Sequence, residues 1–270
     1  MTPRSDFSSY LDRWALSPDG DPIVTRSSRL LPVRHAGAPA MLKVAVEPEE
    51  KWGAGLMIWW GGVGAARVLA HEGDAILLER ATGGRSLADM ARHGRDDEAS
   101  IVICEAVARL HAPRAAPAPE LIPLPERFQA LLAAIRDGGF RRAADAARML
   151  LGEPRDIVPL HGDIHHGNIL DFEARGWLAI DPKRVGGERG FDYANLFCNP
   201  TSLVATAPGR LVRQVDVVAR VAGLERRRLL HWILAWAGLS AIWLIEDGET
   251  DHVAPTLRIG EIAAAEIDKG

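Results

Sequence analysis

The rhythm of apolar and polar positions changes near residue 80. Before it, runs of strand length occupy residues 14–16, 29–34, 40–46 and 75–79. Turn signals separate them: Pro18-Asp-Gly20, Gly37-Ala-Pro39 and Glu72-Gly-Asp74. Gly62-Val-Gly64 reads as a further turn leading into a strand at 67–70. It is only a partial dinucleotide fingerprint, because Arg67 stands where the third glycine belongs. After residue 80 the spacing becomes helical. Ser86-Leu-Ala-Asp89 has the form of a capping box, with the short helix closing near Gly94. Ile103, Ala106, Val107 and Leu110 share a helical face that ends at His111. Residues 112–125, rich in Ala and Pro, read as a surface loop. Phe128, Leu131, Leu132 and Ile135 form the next stripe, stopped by Gly138 and Gly139, and residues 140–151 form another, stopped by Gly152 and Pro154. Residues 157–160 return to strand, and helices follow near 208–222, 225–246 and 254–268. The pattern is α+β: a β-rich part over 1–80 and a larger helical part over 81–270.

Residues 229–245 carry no formal charge beyond a possible His231, which approaches the length of a spanning helix. Trp232, Trp236 and Trp243 lie on one face, while His231, Gly238 and Ser240 interrupt the run. We read it as a buried central helix, with no membrane partner. At 270 residues and 47% apolar, the chain can build one large domain or two lobes. A net charge of −4 gives no nucleic-acid footprint. Cys104 and Cys198 are too few for a disulfide framework, and residues 1–9 lack a signal-peptide core, so a cytoplasmic setting is expected.

The densest chemistry lies between residues 160 and 182: L-H-G-D-I-H-H-G-N-I-L, then D-F-E-A-R-G, then W-L-A-I-D-P. Asp163 and Asn168 have the D-x-x-x-x-N spacing of a kinase catalytic loop. Residues 169–172 and 177–180 read as two strands, and Glu173-Ala-Arg-Gly176 as the turn joining them, with Gly176 free to take positive φ. Paired antiparallel strands bring the start of the first within roughly 5 Å of the end of the second. Asn168 and Asp181 therefore converge as oxygen ligands for a hard divalent cation such as Mg²⁺. Asp163, on the loop upstream, reaches over the same point as a base.

This arrangement resembles the kinase fold in its small-molecule branch, the aminoglycoside phosphotransferases. His161-Gly162-Asp163 and Ile180-Asp181-Pro182 stand where protein kinases carry H-R-D and D-F-G. With G-F-D-Y-A-N-L-F from Gly190, the run looks most like the streptomycin 6-phosphotransferase type, the aminoglycoside and hydroxyurea kinases. The resemblance implies a bilobal, protein-kinase-like fold, with a nucleotide lobe over 1–80 and a catalytic and acceptor lobe over 81–270. It implies ATP or GTP with Mg²⁺, and phosphoryl transfer to a hydroxyl of a small molecule, an aminoglycoside such as streptomycin. Asp163 is then the catalytic base, and Asn168 and Asp181 the metal ligands. Lys43, in M-L-K-V-A-V, would pair the nucleotide phosphates. Its acidic partner would be Glu50, with Glu49 and Glu47 as alternatives. The glycine-free loop T-R-S-S at 25–28 would cover the phosphates through Ser27 and Ser28. The backbone from Glu79 to Ala81 would bind adenine. Asp192 either braces the catalytic loop from below or simply caps a helix. Glu246, Asp247, Glu249 and Asp251 either neutralise a cationic acceptor at the cleft wall or form a solvated turn.

Rival readings change either the chemistry or the acceptor. His161, His165, His166, Asp163 and Asp181 could ligate zinc or iron in a metallohydrolase, but Gly162 and Gly167 break the helix such spacing needs, and Asn168 would go unused. A non-catalytic nucleotide-binding module is disfavoured by the intact set of Lys43, Asp163, Asn168 and Asp181. Kinases of choline, homoserine, sugars or hydroxyurea-like alcohols share these motifs.

Overall fold

The structure, a computed structural model, describes residues 7–134 and 140–269, without the side chains of 48–50. Ile135, Gly138 and Gly139 of the expected helix, and residues 1–6, lie outside that description. The first part runs α1 (Ser8–Arg13), β1 (Leu16–Pro18), β2 (Ile23–Val24), β3 (Ser28–His35), β4 (Ala38–Ala45), α2 (Pro48–Trp60), β5 (Val68–Glu72) and β6 (Ala75–Glu79). Its sheet has the order β1-β3-β4-β6-β5, with β2 also on β3, and every pairing is antiparallel. Side-chain alternation sorts the two faces. Leu31, Val33, Ala40, Leu42, Ala75 and Leu77 close a small core with Phe7 and Leu16. Met41, Lys43 and Leu78, one position out of step, line a cavity on the other face.

Two local expectations need correction. Residues 14–16 are not a strand: β1 begins at Leu16, and Trp14 ends α1. Phe7, Tyr10, Leu11 and Trp14 lie at helical spacing and cover the outer face of the sheet. The β3–β4 turn is Ala36-Gly37, both at positive φ (49° and 79°), as a two-residue hairpin demands. Ala38 and Pro39 consequently start β4.

The remainder runs α3 (Leu87–Arg92), α4 (Asp96–His111), β7 (Ile122–Pro123), α5 (Leu124–Arg127), α6 (Gln129–Ala133), α7 (Arg141–Gly152), β8 (Ile157–Leu160), β9 (Ile169–Asp171), β10 (Trp177–Ala179), β11 (Val185–Glu188), α8 (Ser202–Ala205), α9 (Arg210–Ala222), α10 (Arg226–Glu246) and α11 (Val253–Ile267). Ser86 Oγ accepts from Asp89 N–H at 3.2 Å, the expected cap of α3. By length and composition α10 could cross a membrane, but 67% of its most apolar stretch is buried among α7, α11 and their neighbours. Gly238 permits that packing, since a Cβ there would lie 2.4 Å from the Ala143 Cβ on α7.

β11 has no counterpart in the sequence reading. It pairs antiparallel with β8 and parallel with β7, inside the stretch expected to be loop. Val-Gly-Gly-Glu has the composition of a turn. Here the glycines make room for Leu121 and Leu124, which would crowd any Cβ at Gly186 and Gly187. This small sheet anchors β8, and β8 delivers the loop that begins at His161.

Candidate active site

The loop is held from below by one buried carboxylate. Asp192 Oδ2 accepts the His161 N–H at 2.9 Å, and Oδ1 accepts the Gly162 N–H at 2.7 Å. His111 Nε2 bonds Oδ2 at 2.8 Å. A buried carboxylate is tolerated only when satisfied in this way. Glu188, not Asp192, occupies the N-cap of the 3₁₀ segment Arg189–Cys198, so bracing is the role the geometry supports. Gly162 has φ 83°, and a Cβ would press on Val185 and Lys183.

His161 ties the loop to the hairpin. Its Nε2 donates to the Ile180 carbonyl at 2.7 Å, and its Nδ1 accepts from the Asp163 N–H at 3.3 Å. This is a neutral imidazole, and complete burial pushes its pKa below the usual histidine value. The ring stacks on Trp60, centroids 6.1 Å apart.

β9 and β10 pair as expected, with Ile169 opposite Ala179 and Gly176 at φ 74°. The Ile180 N–H reaches the Asn168 carbonyl at 3.0 Å, which sets Asn168 beside the residue that precedes Asp181. Asp181 takes a left-handed φ of 67°, a conformation Asp tolerates better than most residues. Lys43 Nζ is ion-paired with Asp181 Oδ1. Asn168 Nδ2 donates to the Asp163 carbonyl at 2.9 Å and stands 3.3 Å from Asp163 Oδ2. Its nitrogen is thus committed to Asp163 and its side-chain oxygen is turned away. That oxygen and the Asp181 carboxylate are the hard donors Mg²⁺ prefers. The Glu50 and Glu49 side chains lie outside the described residues. Glu47 is described, and it lines the second cavity below.

Two cavities lie nearby, and the smaller reaches this cluster through Lys43 and Asp181. The smaller, about 310 Å³, lies between Leu30, Met41 and Leu78 above and Leu170, Phe172 and Ile180 below. Lys43, Asp181, Ser27 and Ser28 also line it. The buried Ser28 hydroxyl has no hydrogen-bond partner among the described residues. At the other side lie Glu79, Arg80 and Ala81. The Glu79 carboxylate is spent on Arg175 and on the Arg67 N–H at 2.6 Å, so only its backbone is offered to a ligand. Beyond, Arg85 pairs bidentately with buried Asp171, at 2.7 and 2.8 Å, and holds that carboxyl down at about 2. A Cβ at Gly83 would lie 2.2 Å from Asp171 Cγ, so this clasp requires glycine there.

The larger cavity, about 890 Å³, shares Ser27 with the first. Its carboxylates are Glu47, Glu126, Glu246 and Asp247, and Trp52 and Trp243 supply aromatic walls. Arg26 crosses from the 25–28 loop to Asp247 at 2.7 Å. Of the four acidic residues expected here, Glu246 and Asp247 line the cavity. Glu249 and Asp251 do not, because the chain turns at Gly248 (φ 78°) and carries them onto the exposed surface. Glu126 and the Trp pair were not foreseen as cavity residues.

The hydrolase alternative finds no support. Among the described residues, no three His, Cys, Asp or Glu side chains gather as a metal site. His161 is engaged through both nitrogens, and His165 Nδ1 accepts from the Gly167 N–H at 3.0 Å. His166 is buried elsewhere, its nitrogens without a hydrogen-bond partner among the described residues and Nε2 4.0 Å from Asp96 Oδ1.

Comparison with known proteins places the chain among relatives. Residues 13–248 match the family model described as aminoglycoside/hydroxyurea antibiotic resistance kinase. The chain is 51% identical over 244 residues to streptomycin 3''-kinase of Klebsiella pneumoniae, covering 88% of this chain and 92% of that one. It is 36% identical over 273 residues to streptomycin 6-kinase of Streptomyces griseus, covering 95% and 86%. Among solved structures it resembles a thermostable mutant of aminoglycoside phosphotransferase APH(4)-Ia, in ternary complex with ADP and hygromycin B. The TM-score is 0.68 at 15% identity, over 96% of this chain and 98% of that one.

Proposed function

The chain belongs to the aminoglycoside/hydroxyurea antibiotic resistance kinase family, and from that premise we propose that it transfers the γ-phosphoryl group of ATP to a hydroxyl of streptomycin. The observation that carries this reading is the cluster beside the smaller cavity: Lys43 and Asp181 line it as an ion pair, and Asn168 follows on the hairpin with its amide on Asp163. We read residues 1–80 and 81–270 as two lobes, with the nucleotide between them.

Phosphoryl transfer asks the protein for position and charge more than for covalent chemistry. The apolar slot sandwiches adenine, and the Ala81 N–H, which has no protein acceptor among the described residues, faces its edge. Lys43 and the hydroxyls of Ser27 and Ser28 hold the phosphates. Asn168 and Asp181 would hold Mg²⁺, which when bound would offset the negative charge of the phosphate oxygens. Asp163 orients the acceptor hydroxyl and takes its proton. Streptomycin carries guanidinium groups, and the carboxylates of the larger cavity supply the matching charge. Identity to the 3''-kinase exceeds identity to the 6-kinase, which favours the 3'' hydroxyl as acceptor.

The test is ADP release with ATP and Mg²⁺ against streptomycin, other aminoglycosides and hydroxyurea, with the product's phosphorylated position read by NMR. Turnover with streptomycin giving a 3''-phosphate supports the reading. Turnover confined to hydroxyurea or choline would reassign the acceptor, and no turnover with any alcohol would remove the kinase reading.

A further inference from the structure

Asp163 is gripped by two amides. Asn168 Nδ2 approaches Oδ2 at 3.3 Å, and Asn195 Nδ2 donates to Oδ1 at 2.9 Å. Asn195 belongs to the 3₁₀ segment Arg189–Cys198, the same segment that supplies Asp192. A carboxamide can present either its oxygen or its nitrogen to a neighbour. Here the choice is forced. The Asn195 side-chain oxygen receives the Trp236 indole N–H at 3.2 Å and the Asn199 amide at 3.1 Å. An indole N–H can only donate, so the Asn195 nitrogen is left for Asp163. Trp236 is itself fixed, edge-on to Phe191 at 5.3 Å and to Trp243 at 5.7 Å. Trp243 lines the larger cavity.

We propose that Asn195 is a positioning residue for phosphoryl transfer. It fixes the rotamer and carboxylate plane of Asp163, and α10 fixes Asn195 in turn through Trp236. A carboxylate on a loop has a free terminal torsion, and restricting that torsion is the kind of orientation that raises turnover without raising affinity. Asn195 touches neither cavity, so its contribution passes through Asp163 alone. This inference rests on the kinase reading, with Asp163 as its base.

The test is a double-mutant cycle between residues 195 and 163, followed by transfer of radiolabelled phosphate and by thermal melting. Asn195→Ala should lower kcat about tenfold, the scale of one hydrogen bond to a charged group. KM for ATP and for streptomycin should change less than about twofold, because only orientation is lost. In the Asp163→Asn background the same substitution should change kcat less than about twofold, since a residue acting through Asp163 has nothing left to position. Asn195→Asp keeps the oxygen that Trp236 and Asn199 hold, removes the donor and sets a second carboxylate beside Asp163, so its loss of kcat should be at least that of the alanine variant. It keeps the cycle readable if the alanine variant does not fold, and the same pattern is expected from it. Equal losses in both backgrounds, or a wild-type kcat in both single variants, would overturn the inference while leaving the kinase reading intact. An inert wild-type protein would overturn both.

Discussion

Neutralising the two halves of the acidic stretch at 246–251 should give opposite results. Glu246 and Asp247 line the larger cavity, whereas Glu249 and Asp251 lie beyond the turn at Gly248. Two unit charges about 4 Å apart interact by about 1 kcal/mol in water. Both lining carboxylates are exposed, so the lower range for exposed pairs applies, about 0.2–1 kcal/mol each. Asp247 has a second effect, because it holds Arg26 at 2.7 Å. Removing its charge releases a guanidinium that repels a cationic acceptor. Together these terms come to about 1.4 kcal/mol, a tenfold change. The double variant Glu246→Gln, Asp247→Asn should therefore raise KM for streptomycin about tenfold. KM for ATP should stay within about twofold, since the smaller cavity, proposed for the nucleotide, does not include either residue. Glu249→Gln with Asp251→Asn should leave both constants within about twofold. Added salt should narrow the gap between wild type and the first variant, because screening weakens exposed charges. Steady-state kinetics at two ionic strengths reads all of this. Equal effects from the two double variants, or none from either, would refute the assignment of the cavity to a cationic acceptor.

Three further outcomes follow from the same geometry. Asp192→Ala strands three buried donors and should cost about 3–5 kcal/mol in urea unfolding, and a loss under about 1 kcal/mol would contradict the bracing role. Lys43→Ala should lower kcat/KM for ATP at least about tenfold, and an unchanged value would remove Lys43 from the phosphates. Burial, with Arg210 nearby, pushes the His166 imidazole down to about 3. Unfolded histidine protonates near 6.5, so stability is full above that pH and should fall by about 1.4 kcal/mol per unit as pH drops toward 3. His166→Phe should shallow that fall between pH 6.5 and 5, and an unchanged urea-midpoint difference would contradict it.

Local signals carried the catalytic loop and the hairpin because those residues act close to their place in the chain. The Asp163–Asn168 spacing, the turn ending at Gly176 and the convergence of Asn168 with Asp181 need nothing beyond strand and turn geometry. The Ser86 cap and the buried helix at 229–245 were legible for the same reason. What escaped is tertiary. Phe7, Tyr10, Leu11 and Trp14 do keep a helical stripe, but the helix is six residues long and its apolar end reads equally as strand. Val185-Gly-Gly-Glu is a strand only because Leu121 and Leu124 pack against its glycines. Asn195, in the quoted F-D-Y-A-N-L-F, reaches Asp163 across 32 residues. Glu126 joins the larger cavity from a short helix whose sequence shows only an ordinary solvated acid. The acidic stretch divides at Gly248, whose positive φ is a conformational fact that composition does not carry.

The most direct test of the central claim compares wild type with Asp163→Asn in single-turnover phosphate transfer from ATP to streptomycin, with Mg²⁺ at saturation. The isosteric change keeps the oxygen and loses the base. Wild type should phosphorylate the drug, and the variant's transfer rate should be lower by about 10²-fold or more at unchanged thermal stability. A variant rate within a few-fold of wild type, or a wild type that transfers no phosphate to the drug, would contradict that claim.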